Sequence, residues 1–144
     1  MISRETITLQ TNEGISICDI TLRVKEICKN SNIKNGIVTI FTTHTTTAIK
    51  INENETRFLE DLKIQLEKMV PKNAQYMHDD IHLRDCPKDE RINGHAHLKA
   101  MLLNTVETIP LINQNLLLGK WQSIFFLEFD GSRKREIIVQ IMGE

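Results

Sequence analysis

Five histidines, at positions 44, 78, 82, 95 and 97, are the residues of this chain best suited to proton transfer or metal ligation near neutral pH. In an extended strand His44 shares a face with Thr42, Thr46 and Ala48, while Phe41, Ile49 and Ile51 take the other. His95 and His97 stand two residues apart, about 200° round a helix, so the two cannot ligate one ion. One is expected to face a site, the other solvent or a structural hydrogen bond. No HExxH or similarly tight ligand spacing occurs, and a lone histidine is more often a structural residue. Three histidines converging from a strand, a long polar loop and a helix start would instead make a site.

The carboxylates form a second set: Glu53 beside Asn52, then Asp79, Asp80 and Glu128. Asn52-Glu53 reads as the opening of a long helix, with Asn52 as cap and Glu53 at the positive end of the dipole. Glu128 falls on the Gln122, Ile124 and Phe126 face of a strand, next to the turn Asp130-Gly131-Ser132-Arg133-Lys134-Arg135. The guanidinium forks of Arg133 and Arg135 match phosphate or carboxylate oxygens, the alternative being a solvated hairpin tip. Trp121, Ser123, Phe125, Leu127 and Phe129 alternate as a core stripe. Phosphate loops of the GxGxxG or GxxxxGK[ST] type, GxSxG, and Cys–His nucleophile signatures are absent, which argues against nucleotide-fold enzymes and serine hydrolases.

The elements that must position these residues follow from periodicity. Glu5–Thr11 alternates as a strand; Asn12-Glu13-Gly14 is a turn and Ile15–Cys18 resumes, giving a hairpin. Ile20, Val24, Ile27 and Cys28 recur at helical spacing, with Asp19 or Thr21 as cap and 30–35 as terminator. Strand patterns return at Ile37–Thr42 and Ala48–Ile51. Phe58, Leu62, Leu66 and Met69 mark an amphipathic helix ended by Pro71. Residues 71–92 are polar and aperiodic, and a connection of that length in a compact domain is usually functional or disordered. A short helix is predicted over Asn93–Asn104, then strands at Thr105–Ile112, Leu116–Leu118, Gly119–Asp130 and Arg135–Met142. Strands flanking two helical blocks, the last four joined by tight turns, favour an antiparallel α+β fold.

Composition excludes several classes. The chain is 40% apolar and 26% charged with a net charge of −1, which rules out disorder and gives no global electrostatic case for nucleic acid or an anionic membrane. The longest apolar runs, Ala100–Leu103 and Ile124–Leu127, are far short of the about twenty residues a membrane span needs. The N-terminus runs directly into strand-like sequence without a signal-peptide core. Three cysteines, Cys18, Cys28 and Cys86, make an odd count without CxxC spacing, as expected of a reduced, cytoplasmic protein. No repeat or composition break divides residues 1–144, so one domain is expected.

His44-Thr45-Thr46-Thr47-Ala48 with Asn52-Glu53, then Gly94-His95-Ala96-His97-Leu98-Lys99-Ala100, Leu118-Gly119-Lys120-Trp121-Gln122 and Asp130-Gly131-Ser132-Arg133 together resemble the YjbQ-like family, often labelled secondary thiamine-phosphate synthase. The motif order is kept over nearly the whole chain. Lys120 stands where the family has threonine, and Ser132 where it has proline. The resemblance implies a compact α+β domain, a largely antiparallel β-sandwich with two to three helices, assembled as a homotrimer. It implies a metal cluster at His44, His78 and His97, leaving His82 and His95 outside. The label implies joining a pyrimidine diphosphate to a thiazole phosphate with release of pyrophosphate.

The site expected on these grounds is a three-histidine metal centre, most simply zinc, with an open position that polarises water or a phosphoryl oxygen. Glu53 or Glu128, with Asn52, is the expected base or the partner of a histidine's other nitrogen. Arg133 and Arg135, with Gln122 and Lys120, are expected to hold a small phosphorylated ligand. Diphosphate chemistry ordinarily recruits Mg²⁺ through oxygen ligands, whereas imidazoles favour a borderline transition metal. That tension keeps two alternatives open: a metal-assisted phosphoester hydrolase, and a non-catalytic trimer that binds a metal or a phosphorylated metabolite.

Overall fold

The computed structural model describes all residues, 1–144. Its strands are β1 (Ile2–Gln10), β2 (Gly14–Asp19), β3 (Gly36–Thr42), β4 (Thr47–Glu53), β5 (Val106–Ile112), β6 (Asn115–Leu116), β7 (Gln122–Gly131) and β8 (Lys134–Gly143). Three α-helices join them: α1 (Thr21–Asn30), α2 (Thr56–Met69) and α3 (Gly94–Met101). The strands form a five-stranded sheet in the order β1-β8-β3-β5-β6 and a three-stranded sheet in the order β2-β7-β4, with every pairing antiparallel. This is an α+β sandwich.

The layers follow from which face of each strand is apolar. Ile7, Val38, Ile40, Ile109, Ile137 and Val139 on the larger sheet meet Ile49, Ile124 and Phe126 on the smaller, and Val24 and Cys28 of α1 close the side. Fully burying each such large apolar side chain contributes about 1.5–3 kcal/mol. The far face of the smaller sheet packs Ala48, Phe125, Leu127 and Phe129 against Leu66 of α2 and Ala96 and Ala100 of α3. Strand β7 is therefore covered on both sides, which explains its continuous apolar run Ile124–Leu127 in place of an alternating one.

Several local expectations are corrected. Asn52 and Glu53 end strand β4 instead of opening a helix; α2 starts at Thr56, where the Glu55 carboxylate accepts hydrogen bonds from the backbone N–H groups of Arg57 and Phe58. His44 lies in the loop between β3 and β4, not in a strand. Trp121 precedes β7 and is 66% exposed, so the core stripe begins after it. The polar stretch 71–92 is ordered as two single-turn 3₁₀ segments, Met77–Asp79 and Ile81–Leu83. Its return to the body is made by the Asp79 carboxylate, which accepts from the Gly94 N–H at 2.8 Å. No helix is long and apolar enough to cross a membrane.

Candidate functional site

At one end of the sandwich the larger and smaller sheets are joined by charge. Glu128 of β7 is fully buried and faces Arg135 of β8, itself only 5% exposed. The pair is bidentate, Arg135 Nε to Oε1 and Nη2 to Oε2, each at 2.7 Å. Thr11 Oγ1 donates to the same carboxylate at 2.7 Å, and the Asp130 N–H at 3.2 Å. Burial pushes the Glu128 carboxyl up, but the bonds from Arg135 and Thr11 outweigh it and hold it below the usual carboxylate range. A carboxylate so saturated has no lone pair left for a substrate proton. Glu128 positions Arg135, whose Nη2 also donates to Thr46 Oγ1 at 2.7 Å.

Around this pair opens a polar cleft of about 410 Å³, without one apolar residue in its lining. The loop between β3 and β4 contributes Thr43, His44, Thr45 and Thr46; the 71–92 stretch contributes His78, Arg84 and Glu90; Asn93 and His97 come from the start of α3, and Asp130, Arg133 and Arg135 from the β7–β8 hairpin. His44, His78, His97, Arg133 and Arg135 thus share one cleft. Gln122 and Glu53 pair with each other at the opposite end of the smaller sheet, Asn52 is beside them, and Lys120 lies over the Trp121 ring at 4.9 Å. None of those four lines the cleft.

The histidines are not equivalent. His78 and His97 meet edge to face with ring centroids 4.5 Å apart. Burial, then the neighbouring His78, pushes the His97 imidazole below its ordinary pKa, so it is neutral at pH 7. His44 Nε2 accepts the Glu136 N–H at 3.1 Å, which places the proton of its neutral ring on Nδ1. Burial and the nearby Arg135 guanidinium lower its pKa as well. These residues do not fit a three-histidine metal centre. No three histidine, cysteine or carboxylate side chains are arranged to hold an ion, and His44 has one nitrogen in a hydrogen bond and the other protonated.

They do fit an anion. Arg133 uses Nε and Nη2 on Asp130, and Arg84 uses Nη1 on the His78 carbonyl. Each guanidinium, Arg135 included, keeps N–H groups without a protein acceptor. Burial raises the Asp130 carboxyl, but bonds from Asn93 and Arg133 prevail and keep it ionised. Sequence reasoning missed Arg84, Asn93 and Asp130 as members of the cleft. The available signal was the anomalous length and polarity of 71–92, which delivers Arg84 beside His78.

Residues 5–144 match the family described as UPF0047 protein YjbQ-like. A UPF0047 protein of Methanothermobacter thermautotrophicus is 43% identical over 94% of this chain and 89% of its own. One from Archaeoglobus fulgidus is also 43% identical, over 94% of this chain and 98% of its own. Among solved structures, a YbjQ-like protein of unknown function from Sulfolobus solfataricus superposes with a TM-score of 0.89 at 35% identity, covering 100% of this chain and 99% of the other. The sandwich, the motif order and these likenesses agree: this chain belongs to the UPF0047 YjbQ-like family.

Proposed function

We propose that the protein binds a small phosphorylated ligand in the histidine–arginine cleft and transfers a proton there through the His78–His97 pair. The observation that carries this reading is the lining: three guanidinium groups with free N–H donors and three imidazoles, against two carboxylates, one of them already held by Asn93 and Arg133. Charge-assisted bonds from guanidinium forks to phosphoryl oxygens are shorter and about twice as strong as bonds between neutral groups. A neutral His97 beside a second imidazole is suited to accept a proton from an attacking hydroxyl, or as imidazolium to give one to a leaving oxygen. The arginines offset the charge that grows on the phosphoryl or leaving group. No step in this reading passes through a metal.

The coupling that the family label suggests is the second reading. There the thiazole nitrogen attacks the pyrimidine methylene, the carbon–oxygen bond breaks, and pyrophosphate leaves with the electron pair. The arginines suit that leaving group, but a cleft with no apolar side chain gives two heteroaromatic rings little to pack against. A compact polar phosphoester is favoured. The proposed assembly is the homotrimer, supported by the outer face of the five-stranded sheet, where Ile2, Ile37, Phe41, Val106, Ile112 and Met142 are exposed.

The test is calorimetric titration with inorganic phosphate, followed by phosphate-release assays on small phosphomonoesters. Arg84→Ala and Arg133→Ala should each weaken phosphate tenfold or more. His97→Gln should keep phosphate affinity within about threefold while abolishing release, a difference of under 1 kcal/mol in binding. Unchanged affinity in both arginine variants would overturn the reading. Pyrophosphate release that requires both heterocyclic substrates would select the second one.

A further inference from the structure

Helix α3 carries a second histidine on its opposite face. His95 and Lys99, one turn apart, are both more than nine-tenths exposed to protein instead of solvent, at 7% and 1% accessibility. They border a separate pocket of about 310 Å³ with Glu67, Lys72, Arg91 and Asp130. Lys99 Nζ donates to Glu67 Oε2 at 2.7 Å and lies 3.3 Å from His95 Nδ1. An ammonium only donates, so Nδ1 accepts and the imidazole proton sits on Nε2. That Nε2–H has no protein acceptor, and neither has the third N–H of Lys99. The one buried side-chain atom without a partner lies elsewhere, on Asn93, so His95 Nε2 is open to the pocket.

The acids of this pocket are already engaged. Glu67 accepts from Lys99 and from the Lys72 backbone N–H, and Asp130 accepts from Asn93, Arg91 and Arg133. Lys72 Nζ has no carboxylate partner. The unoccupied groups are therefore all donors, and the surplus charge is positive. A salt bridge that only braced α3 against α2 would not need a neutral histidine presenting its N–H to an open pocket.

We propose that the pocket behind α3, built from His95, Lys99 and Lys72, is a second binding site for a compact oxyanion, the phosphate or carboxylate head of a small molecule. It is distinct from the histidine–arginine cleft and lies across the Asp130 wall from it, since Asp130 borders both. Neither site needs the other for its donors, apart from the shared orientation of Asp130.

The experiment is a titration of histidine-¹⁵N-labelled full-length protein with inorganic phosphate, and in parallel with acetate, following the ring nitrogens of His95 and His97 separately. The expected result is a saturable shift of His95 Nε2 with its own concentration dependence. Arg84→Ala should leave that curve in place while weakening the His97 response tenfold or more. Lys72→Met, at an exposed position, should weaken the His95 response tenfold or more and leave the His97 curve unchanged. Saturation by acetate as well as phosphate would show a site that takes either oxyanion head; saturation by phosphate alone, one selective for a phosphoryl head. His95 signals that stay still with both anions, that follow the His97 curve, or that are indifferent to Lys72→Met would overturn the second site without touching the first.

Discussion

At the scale of single residues, the Glu128–Arg135 pair decides whether the cleft has its shape. Removing one partner of a buried pair leaves the other charge uncompensated, so Arg135→Met is expected to destabilise the fold by about 3–5 kcal/mol in denaturant unfolding. Replacing both, Arg135→Met with Glu128→Leu, should recover much of that loss, because two apolar groups need no partner. Titration gives a second prediction. His44, His95 and His97 have lowered pKa values, so the folded state binds fewer protons than the unfolded one as pH falls below about 6.5. Stability should be complete above that pH and decline through mild acid, then decline again as Glu128 and Asp130, depressed in the fold, are protonated below about 4. A melting temperature that is flat from pH 7.5 to 5.5 would contradict this. What the sequence could show here was residue type: Arg133, Arg135 and the histidines announce their chemistry. What it could not show was pairing. Glu128 reads as a free base until its partner from the next strand is seen saturating it, and His44 reads as a ligand until Glu136 is found bonded to its ring.

Elements bring these residues together, and the close approach of Gly94 to the 71–92 stretch is the critical contact. A Cβ at Gly94 would lie 2.9 Å from Asp79 Oδ1 and from Tyr76 Cβ, and 3.3 Å from His78 Cβ. Gly94→Ala is therefore expected to push the His78 turn away from α3, cost about 1–3 kcal/mol, and raise the His97 pKa toward its ordinary value as the neighbouring imidazole recedes. Denaturant unfolding measures the stability loss, and histidine titration by NMR the pKa. Periodicity made α2 and most strands legible, because a single buried face leaves a clear pattern in Phe58, Leu62 and Leu66 or in Glu5–Thr11. It failed where the environment is two-sided or local. Strand β7 is covered on both faces, so its boundary with exposed Trp121 carries no alternation to read. The start of α2 is hidden from the sequence because Asn52 has the residue type of a cap and Glu55, which does cap the helix, has not; only the pairing of Asn52 and Glu53 with Ser123 and Gln122 in the sheet excludes the first.

For the whole molecule, two properties of the fold bear on function. The five-stranded sheet buries one face and leaves an apolar patch on the other, so Phe41→Glu is expected to convert the proposed trimer to monomers in sedimentation velocity, while a wild-type monomer would refute that assembly. The cleft has no assembled three-histidine ion site, so a chelator is expected to leave both the melting temperature and phosphate affinity unchanged. A loss of either on chelation would mean that a metal holds the site. The antiparallel α+β class was legible in the order of strands and helices, and the sandwich only through the resemblance of the family motifs. Convergence of His44, His78 and His97 on one cleft depends on loops whose paths no spacing encodes.

The most direct test of the central claim is a crystal soaked in tungstate, a heavy-atom analogue of phosphate, with its anomalous density located. The expected result is a peak in the cleft, within hydrogen-bond distance of Arg84, Arg133 or Arg135 and adjacent to His97. Peaks confined to other surfaces, with the guanidinium groups of the cleft bare, would contradict it.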